Sequence, residues 1–240
     1  MKYILTSAPN HYQTTELIKN NGFIELLKET LPENSKVLYI TSSPDQIKST
    51  MDQACGIEIA LKRSLLPPQS FTILDRMNED NVLQEIKNCN VIYLAGGHLP
   101  TQNAFLQDLR LSKMLKAACF DGLIIGCSAG SMNSAEEVFS IPELEETEDE
   151  NNFRYFMPGL GITKVNLIPH YQYLKDVKFH GKDMFADIIL PKSEGRKFYA
   201  IPDGSYLYGH DGIEELFGEA YLIQNGSMEQ IGTDGGKIVL

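Results

Sequence analysis

Residues 122–134 read GLIIGCSAGSMNS, an apolar run that ends in a cluster of small residues. The run that begins at Leu123 is typical of a strand buried on both faces. The small residues that follow place Ser128 between Gly126 and Gly130 in the pattern G-x-S-x-G. In one interpretation, Ser128 is a nucleophile on a sharp turn between a strand and a helix. In the other, its hydroxyl only caps the helix by accepting a hydrogen bond from a backbone N–H.

Apolar runs of the same kind alternate along the chain with longer amphipathic segments. We predict strands over residues 3–7, 37–42, 71–75, 91–97 and 123–126, and helices over residues 14–31, 44–65, 78–88 and 102–120. This alternation predicts an α/β fold, a three-layer sandwich with a mostly parallel central sheet and helices on both faces. After residue 196, shorter segments punctuated by Gly, Asn and Asp predict antiparallel strands near the C-terminus, with a hairpin at QNGS, residues 224–227.

Length and composition restrict the class of protein. A chain of 240 residues with no Pro/Gly/Ser-rich linker and no internal repeat predicts a single domain, residues 1–240. The net charge of −11 argues against nucleic acid or an anionic membrane as a partner. The first apolar run is too short for a secretory signal and no stretch is long enough to span a membrane, so we expect a cytoplasmic protein. The cysteines lack C-x-x-C spacing, and we expect no disulfide framework, no metal and no other cofactor; they are Cys55, Cys89, Cys119 and Cys127.

A nucleophilic Ser128 would need a base, and the base a carboxylate. Ligands of parallel sheets gather at the carboxyl ends of the strands, which draws attention to the strand exits TSAPN (6–10), TSSPD (41–45), AGGHLPTQN (95–103) and GCSAGS (126–131). His170 follows the short apolar segment NLIP and is also expected at a strand exit, although a lone histidine is more often a surface or core residue. Asp203 is a candidate carboxylate, but Pro-Asp-Gly is also an ordinary turn. Spacing alone does not join the three residues.

Four segments, in this order along the chain, resemble those of the dipeptidase E family of serine peptidases, the α-aspartyl dipeptidases, and of their cyanophycinase relatives. They are YLAGGHLPTQN (93–103), IIGCSAGSM (124–132), NLIPHY (166–171) and AIPDGSYL (200–207). The resemblance implies that Ser128 is the nucleophile, that His170 is the base, and that Asp203 takes the place where the family often carries glutamate. It also implies that the backbone amides of Gly97 and Ala129 form the oxyanion hole.

The resemblance and the motifs together predict a serine exopeptidase that hydrolyses short peptides with a free N-terminus, Asp-X dipeptides among them, through an acyl-enzyme. Two alternatives stay open. One is a non-catalytic protein of the same fold that binds a small molecule or a peptide, and the other is a serine hydrolase of another substrate class. The expected partner is a short peptide, and the expected oligomeric state is a monomer or a homodimer.

Some positions depart from the family pattern. His98 follows the double glycine where the family has a polar amide; it could compete as base, but we predict that it contacts substrate or caps the next helix. In the family, an arginine in the helix after the histidine reads the substrate, and Lys182 stands at about that position in this sequence. A lysine keeps the positive charge but lacks arginine's bidentate fork. The acidic run from Pro142 to Phe156 is predicted to be a solvated loop, which would repel acidic substrates if it lay over the site. Cys127 lies one residue before the expected nucleophile and is predicted to be a packing residue.

Overall fold

The largest sheet is built around the predicted apolar strands. The computed structural model describes residues 1–11, 14–142 and 153–240. Within them the main sheet has eight strands, in the spatial order β18 (Lys237–Val239), β15 (Ile213–Phe217), β14 (Tyr206–His210), β1 (Lys2–Thr6), β7 (Leu123–Cys127), β6 (Val91–Leu94), β4 (Lys36–Ile40) and β5 (Ser70–Leu74). The five strands from β1 to β5 in this order are parallel, and they are the five predicted from the apolar runs. The prediction of a mostly parallel central sheet is confirmed.

The strands after residue 196 pair antiparallel with one another, as predicted, but they divide between two sheets. Strand β14 pairs antiparallel with β1, and β15 and β18 extend that edge of the main sheet. A second sheet has the order β10 (Asn166–Ile168), β13 (Lys197–Ala200), β16 (Ala220–Gln224) and β17 (Ser227–Gly232). Strands β10 and β13 are parallel, so their carboxyl ends lie at the same edge. The predicted hairpin joins β16 to β17 through Asn225 and Gly226, whose φ angles of 49° and 75° fit a two-residue turn.

Three short two-stranded sheets accompany the two larger sheets in the described residues. They are β2 (Asn10–His11) with β3 (Glu16–Leu17), β8 (Glu137–Phe139) with β9 (Phe156–Pro158), and β11 (Lys178–Phe179) with β12 (Lys182–Asp183). All three pairs are antiparallel, and the β11–β12 pair leads into a π-helix at Met184–Ile189.

The helices largely follow the predicted segments. They are α1 (Phe23–Thr30), α2 (Ile47–Arg63), α3 (Val82–Asn88), α4 (Leu99–Asp108), α5 (Leu111–Ala117), α6 (Ala129–Asn133), α7 (Tyr171–Leu174) and α8 (Leu190–Lys192), with 3-10 turns at Asn20–Gly22 and Glu79–Asn81. The predicted helix over residues 14–31 is wrong in its first half, because Asn21 and Gly22 have φ angles of 55° and 70° that a helix cannot contain. The predicted helix over 102–120 is divided for the same reason at Arg110, whose φ is 49°.

Apolar side chains cover both faces of the main sheet. On one face, residues of α1 and α2 pack against the sheet around Tyr39 and Tyr93, whose rings are stacked. On the other face, α3, α4 and α5 pack against it around Leu38 and Phe105. Burial on both faces is what the unbroken apolar runs predict. A separate core joins the second sheet to the π-helix. No helix of the described residues is long and apolar enough to span a bilayer.

Candidate active site

Ser128 occupies a strained turn between β7 and α6. Its φ and ψ of 46° and −108° lie outside the regions that L-residues ordinarily adopt. The residue stands at the N-cap position of α6, yet its side chain makes no capping hydrogen bond. Its Oγ lies 2.9 Å from Nε2 of His170 instead. The interpretation of the Ser128 hydroxyl as a helix cap is therefore wrong.

The turn is sharp enough to bring the start of α6 against strand β6. A Cβ on Gly130 would overlap the carbonyl of Leu94, the last residue of β6. Glycine is needed here because any side chain would push the helix away from the sheet. The second glycine of G-x-S-x-G thus fixes where α6, and with it Ser128, stands above the strand ends.

His170 and Asp203 meet because their strands are neighbours. His170 follows β10 after Pro169, and Asp203 follows β13 in a turn closed by a hydrogen bond from Ser205 N to Pro202 O. Ile168 of β10 and Ala200 of β13 are in register, so both chains leave the second sheet at the same level. Nδ1 of His170 lies 2.8 Å from Oδ1 of Asp203. The Pro-Asp-Gly segment is both an ordinary turn and the carrier of the carboxylate.

The electrostatics of this pair fix the roles of the two imidazole nitrogens. Burial by itself would raise the pKa of Asp203, but hydrogen bonds from His170 and Ser7 outweigh it and hold the pKa below its ordinary value. Asp203 is therefore ionised at neutral pH and can only accept hydrogen bonds. Nδ1 of His170 must carry the proton that it donates to Asp203. Nε2 is then free to accept the hydroxyl proton of Ser128.

Sequence reasoning missed two side chains that hold the pair. The Ser7 hydroxyl donates to Oδ1 of Asp203 at 2.6 Å and accepts a hydrogen bond from the backbone N of His170 at 2.8 Å. The side-chain oxygen of Gln172 accepts from the backbone N of Asp203 at 3.1 Å. Ser7 lies in the strand exit TSAPN, which the topology had marked as a place to examine, whereas no pattern in the sequence points to Gln172.

The double-glycine turn after β6 abuts the Ser128 turn. A Cβ on Gly96 would lie 2.9 Å from Cys127 Sγ and 3.5 Å from Ser128 Cβ. Gly97 has a φ of 139°, which is accessible to glycine, and a Cβ on it would overlap the Ser42 hydroxyl. That hydroxyl donates to the carbonyl of Gly96 at 2.5 Å and so holds the turn in place.

The backbone of Ala129 lies on the other side of the Ser128 turn. Ala129 is the first residue of α6, where backbone N–H groups have no partner within the helix. The Gly97 turn and the amino end of α6 therefore stand on neighbouring strand ends, β6 and β7, beside the Ser128 hydroxyl. Backbone donors in such a position can stabilise an anionic oxygen.

Buried amide side chains tie these two turns together. Asn133 at the end of α6 donates to Oε1 of Gln102 at 3.0 Å, and Gln102 donates to the carbonyl of Ala95 at 2.7 Å. Asn103 donates to Asn133 Oδ1 at 2.8 Å. Gln102 and Asn133 are both fully buried. This network connects the helix that follows Ser128 directly to the residue that precedes the double glycine.

His98 caps α4. Its side chain accepts a hydrogen bond from Thr101 N, and its Nδ1 lies 2.7 Å from Thr101 Oγ1. The structural role predicted for His98 is confirmed, and the residue is also exposed, so a contact with substrate stays a prediction. Cys127 packs on the core beside Tyr93, and burial raises the pKa of its thiol to about 12. The thiol is protonated at neutral pH, which agrees with its predicted packing role.

The structure places Lys182 outside the predicted helix and leaves most of the acidic run undescribed. Lys182 is exposed in strand β12, two residues before the π-helix, so it does not lie in the helix after the histidine as expected. Residues 143–152 of the acidic run lie outside the described residues, and its predicted position stays a prediction. Cys55 and Cys119 stand beside apolar residues in the sequence, which favours a packed position, but both are exposed. Among the described residues, no group of three or more His, Cys, Asp or Glu side chains is arranged to hold a metal ion.

Comparisons with known proteins identify a family from the sequence and similar folds from solved structures. A family model described as peptidase family S51 matches residues 66–216. The structure is similar to the crystal structure of a peptidase from an acI-B1 Actinobacterium, with a TM-score of 0.66, 16% identity, and coverage of 100% of this chain and 96% of the other. It is also similar to a candidate peptidase E protein from Listeria monocytogenes EGD-e, with a TM-score of 0.54, 16% identity, and coverage of 96% and 98%. No protein of the curated set matches the sequence significantly.

Proposed function

We propose that Ser128, His170 and Asp203 form the catalytic triad of this chain, which belongs to peptidase family S51, the dipeptidase E family of serine peptidases. One observation carries the proposal. A continuous path runs from Ser128 Oγ to His170 Nε2 at 2.9 Å, and from His170 Nδ1 to Asp203 Oδ1 at 2.8 Å. A hydroxyl, an imidazole and an ionised carboxylate in this order are the parts that activate a serine.

The chemistry follows from the protonation states. His170 Nε2 accepts the hydroxyl proton while Ser128 Oγ attacks the peptide carbonyl and forms a tetrahedral intermediate. His170 then donates that proton to the leaving amine, and an acyl-enzyme remains on Ser128. Water repeats the cycle, with His170 again as base, and releases the carboxylic acid. Asp203 stays ionised throughout and stabilises the imidazolium.

The backbone amides of Gly97 and Ala129 are proposed to form the oxyanion hole. The close packing of the two turns and the position of Ala129 at the amino end of α6 support this assignment. Such donors act where charge develops in the transition state, and removing one typically costs about 10²- to 10³-fold in kcat. No metal or other cofactor has a part in this scheme.

The substrates are proposed to be short peptides with a free N-terminus, and residues 1–240 to act as one peptidase domain, as a monomer or a homodimer. The pairing of β1 with β14 in one sheet supports the single domain, because it joins distant parts of the chain. We further propose that the exposed Lys182 gives a modest preference for Asp at the first position. A lysine supplies one charge without arginine's fork, which supports a weak preference only.

A panel of dipeptides tests the function. Asp-X, Glu-X and neutral-X dipeptides, each free and N-acetylated, are incubated with the wild type and with Ser128→Ala. We expect hydrolysis of free dipeptides by the wild type alone, and covalent labelling of Ser128 by a fluorophosphonate. Rapid cleavage of N-acetylated peptides contradicts the exopeptidase assignment. Labelling of Ser128 without hydrolysis of any dipeptide indicates a serine hydrolase of another substrate class, and the absence of both indicates a binding protein.

The role of Lys182 has its own test. Lys182→Met is compared with Lys178→Met, which removes an exposed lysine from the other strand of the same hairpin. We expect Lys182→Met to lower kcat/KM for Asp-X by a few fold relative to neutral-X, since a single exposed ion pair contributes about 0.2–1 kcal/mol. Lys178→Met should leave the ratio unchanged. Equal effects of the two variants mean that the hairpin contributes only a general field.

A further inference from the structure

Ser7 stands at the junction of the two parts of the site. Strand β1 lies between β7 and β14, and Thr6 pairs with Cys127 on one side and with Tyr206 on the other. At the next step along the chain, Ser128 N donates to Thr6 O at 3.0 Å, and Ser7 N contacts Ser205 O at 3.4 Å. The backbone at Ser7 is therefore bonded to the turn that carries Ser128 and to the turn that carries Asp203.

The hydroxyl of Ser7 is completely buried and points at the base rather than at the nucleophile. It donates to Asp203 Oδ1 at 2.6 Å, accepts from His170 N at 2.8 Å, and lies 3.4 Å from His170 Nδ1. Oδ1 of Asp203 thus receives two hydrogen bonds, one from the imidazole and one from Ser7. A single side chain touches both the carboxylate and the main chain of the residue that the carboxylate orients.

We infer that Ser7 is a positioning residue of this peptidase, which fixes the Asp203 carboxylate and the His170 main chain relative to each other; the inference rests on the proposed triad. His170 has a left-handed backbone, with φ of 61°, and its N–H needs an acceptor to hold that conformation. The same hydroxyl satisfies this N–H and stabilises the ionised form of Asp203. Without the Ser7 hydroxyl, the Asp203 carboxylate and the His170 main chain lose the group that hydrogen-bonds to both of them, and Nε2 is no longer held in line with Ser128 Oγ.

The test compares Ser7→Ala with a matched buried serine. Ser193 is also completely buried, donates to Leu190 O at 2.7 Å and accepts from Gly226 N at 2.9 Å, but none of these partners belongs to the triad. Ser193→Ala therefore also removes one donated and one accepted hydrogen bond of a buried hydroxyl, but its donated bond goes to a neutral carbonyl. Hydrogen bonds to a charged group contribute more than neutral ones, so we expect Ser7→Ala to lower kcat about 10- to 100-fold with KM within about twofold of wild type. Ser193→Ala should also lower Tm, because it removes buried hydrogen bonds, but it should leave kcat within about twofold.

Double variants test whether Ser7 acts through Asp203. On the background of Asp203→Asn, removal of the Ser7 hydroxyl should lower kcat by less than about threefold, since coupled residues are not additive. Full multiplication of the two effects contradicts the inference. A second readout is the profile of the free energy of unfolding against pH, in which Ser7→Ala should reduce the stability that is lost in acid, because the ionised form of Asp203 loses a donor and its pKa in the folded protein rises towards the unfolded value. Ser193→Ala should leave that profile unmoved.

The outcomes separate this inference from the proposed function. Turnover that survives in Ser128→Ala contradicts the triad itself. An inactive Ser128→Ala together with equal kcat values for Ser7→Ala and Ser193→Ala contradicts only the role of Ser7. Ser7→Cys keeps a side chain of similar size but replaces the hydroxyl with a thiol, which donates and accepts hydrogen bonds only weakly, so it decides the case if Ser7→Ala does not fold. A kcat for Ser7→Cys equal to that of the wild type overturns the inference, and a loss of about tenfold or more supports it.

Discussion

The nucleophile and its base are held by two different kinds of structure. Ser128 follows β7, a buried parallel strand of the main sheet, and its turn is held by close backbone contacts such as that of Gly130 with Leu94. His170 and Asp203 come from the smaller second sheet, from strands of three and four residues, and they are fixed by side-chain hydrogen bonds. The nucleophile half combines close backbone packing with a buried amide network, whereas the base half depends on side-chain hydrogen bonds.

This difference predicts two kinds of vulnerability. Changes on the nucleophile side should first lower stability, because they disturb the packing of a helix against the central sheet. Changes on the base side should first lower turnover, because the hydrogen bonds involved add little to the core. The following variants examine this contrast in order of expected size.

The largest loss of turnover is expected for His170→Ala. It should match Ser128→Ala, with a fall in kcat on the order of 10⁴-fold or more, because members of a triad act as a unit. Steady-state hydrolysis of the best dipeptide measures it, and circular dichroism checks the fold.

His98→Asn is the comparison for that variant. Asparagine is a good N-cap, so α4 keeps its start while the second imidazole near the site is removed. We expect a change of less than about tenfold in kcat/KM, since a loss confined to binding is small beside the loss of a base. An inactive His98→Asn with an active His170→Ala would exchange the two assignments.

Asp203→Asn should lower kcat by about 10³- to 10⁴-fold with the fold intact, if the carboxylate acts as in other triads. The amide cannot stabilise the imidazolium, and it favours the wrong tautomer of His170. Single-turnover kinetics would locate the loss in acylation. A loss below tenfold would assign the role of Asp203 to another group.

Gly130→Ala examines the nucleophile side. Its Cβ would overlap the Leu94 carbonyl, and overpacking of this kind costs about 1–3 kcal/mol in the free energy of unfolding. Gly56→Ala in α2 is the control, because its nearest neighbour would be 3.9 Å away and alanine favours a helix by about 0.5–1 kcal/mol. Urea denaturation should show opposite shifts in the two variants. Equal stability of Gly130→Ala and wild type would contradict the claim that the Ser128 turn depends on close packing at Gly130.

The smallest effect concerns stability in acid. The pKa of Asp203 is lower in the folded protein than in the unfolded chain, so its ionisation stabilises the fold above the unfolded value, about 3.9. That contribution is lost as the pH falls from there through the folded value. The difference in the free energy of unfolding between wild type and Asp203→Asn should therefore be constant from pH 5 to pH 7 and shrink on further acidification. A difference in the free energy of unfolding that grows on acidification would mean that folding raises the pKa of Asp203 instead of lowering it.

The same contrast explains what could be predicted from the sequence. The central parallel strands of the main sheet are buried on both faces, and continuous apolar runs such as Leu123–Cys127 predict them. The small residues around Ser128 are equally visible, because close backbone approach demands glycine. The break of the predicted helix at Asn21 was not visible, since a left-handed asparagine leaves no periodic trace.

The base side of the site was harder to read. Strand β10 has three residues, and its pairing with β13 joins segments that are distant in the chain, so no local pattern reveals it. The motifs pointed to His170 and Asp203, and the structure brings both to Ser128, while their catalytic roles stay predictions. Ser7 was hidden for a simpler reason. A single buried serine looks the same in sequence whether it donates to a main-chain carbonyl or to the carboxylate of a triad.

The position of β1 also governs when the site can exist during synthesis. Tyr3 pairs with Gly209, so most of the described chain must leave the ribosome before this pairing forms. A nascent chain that ends near residue 180 already carries Ser128 and His170, but it lacks Asp203 and leaves one edge of β1 unpaired. Such an edge is open to wrong partners until β14 arrives. Ser128, His170 and Asp203 can therefore come together only after the second sheet's β13 and the edge strand β14 have been synthesised.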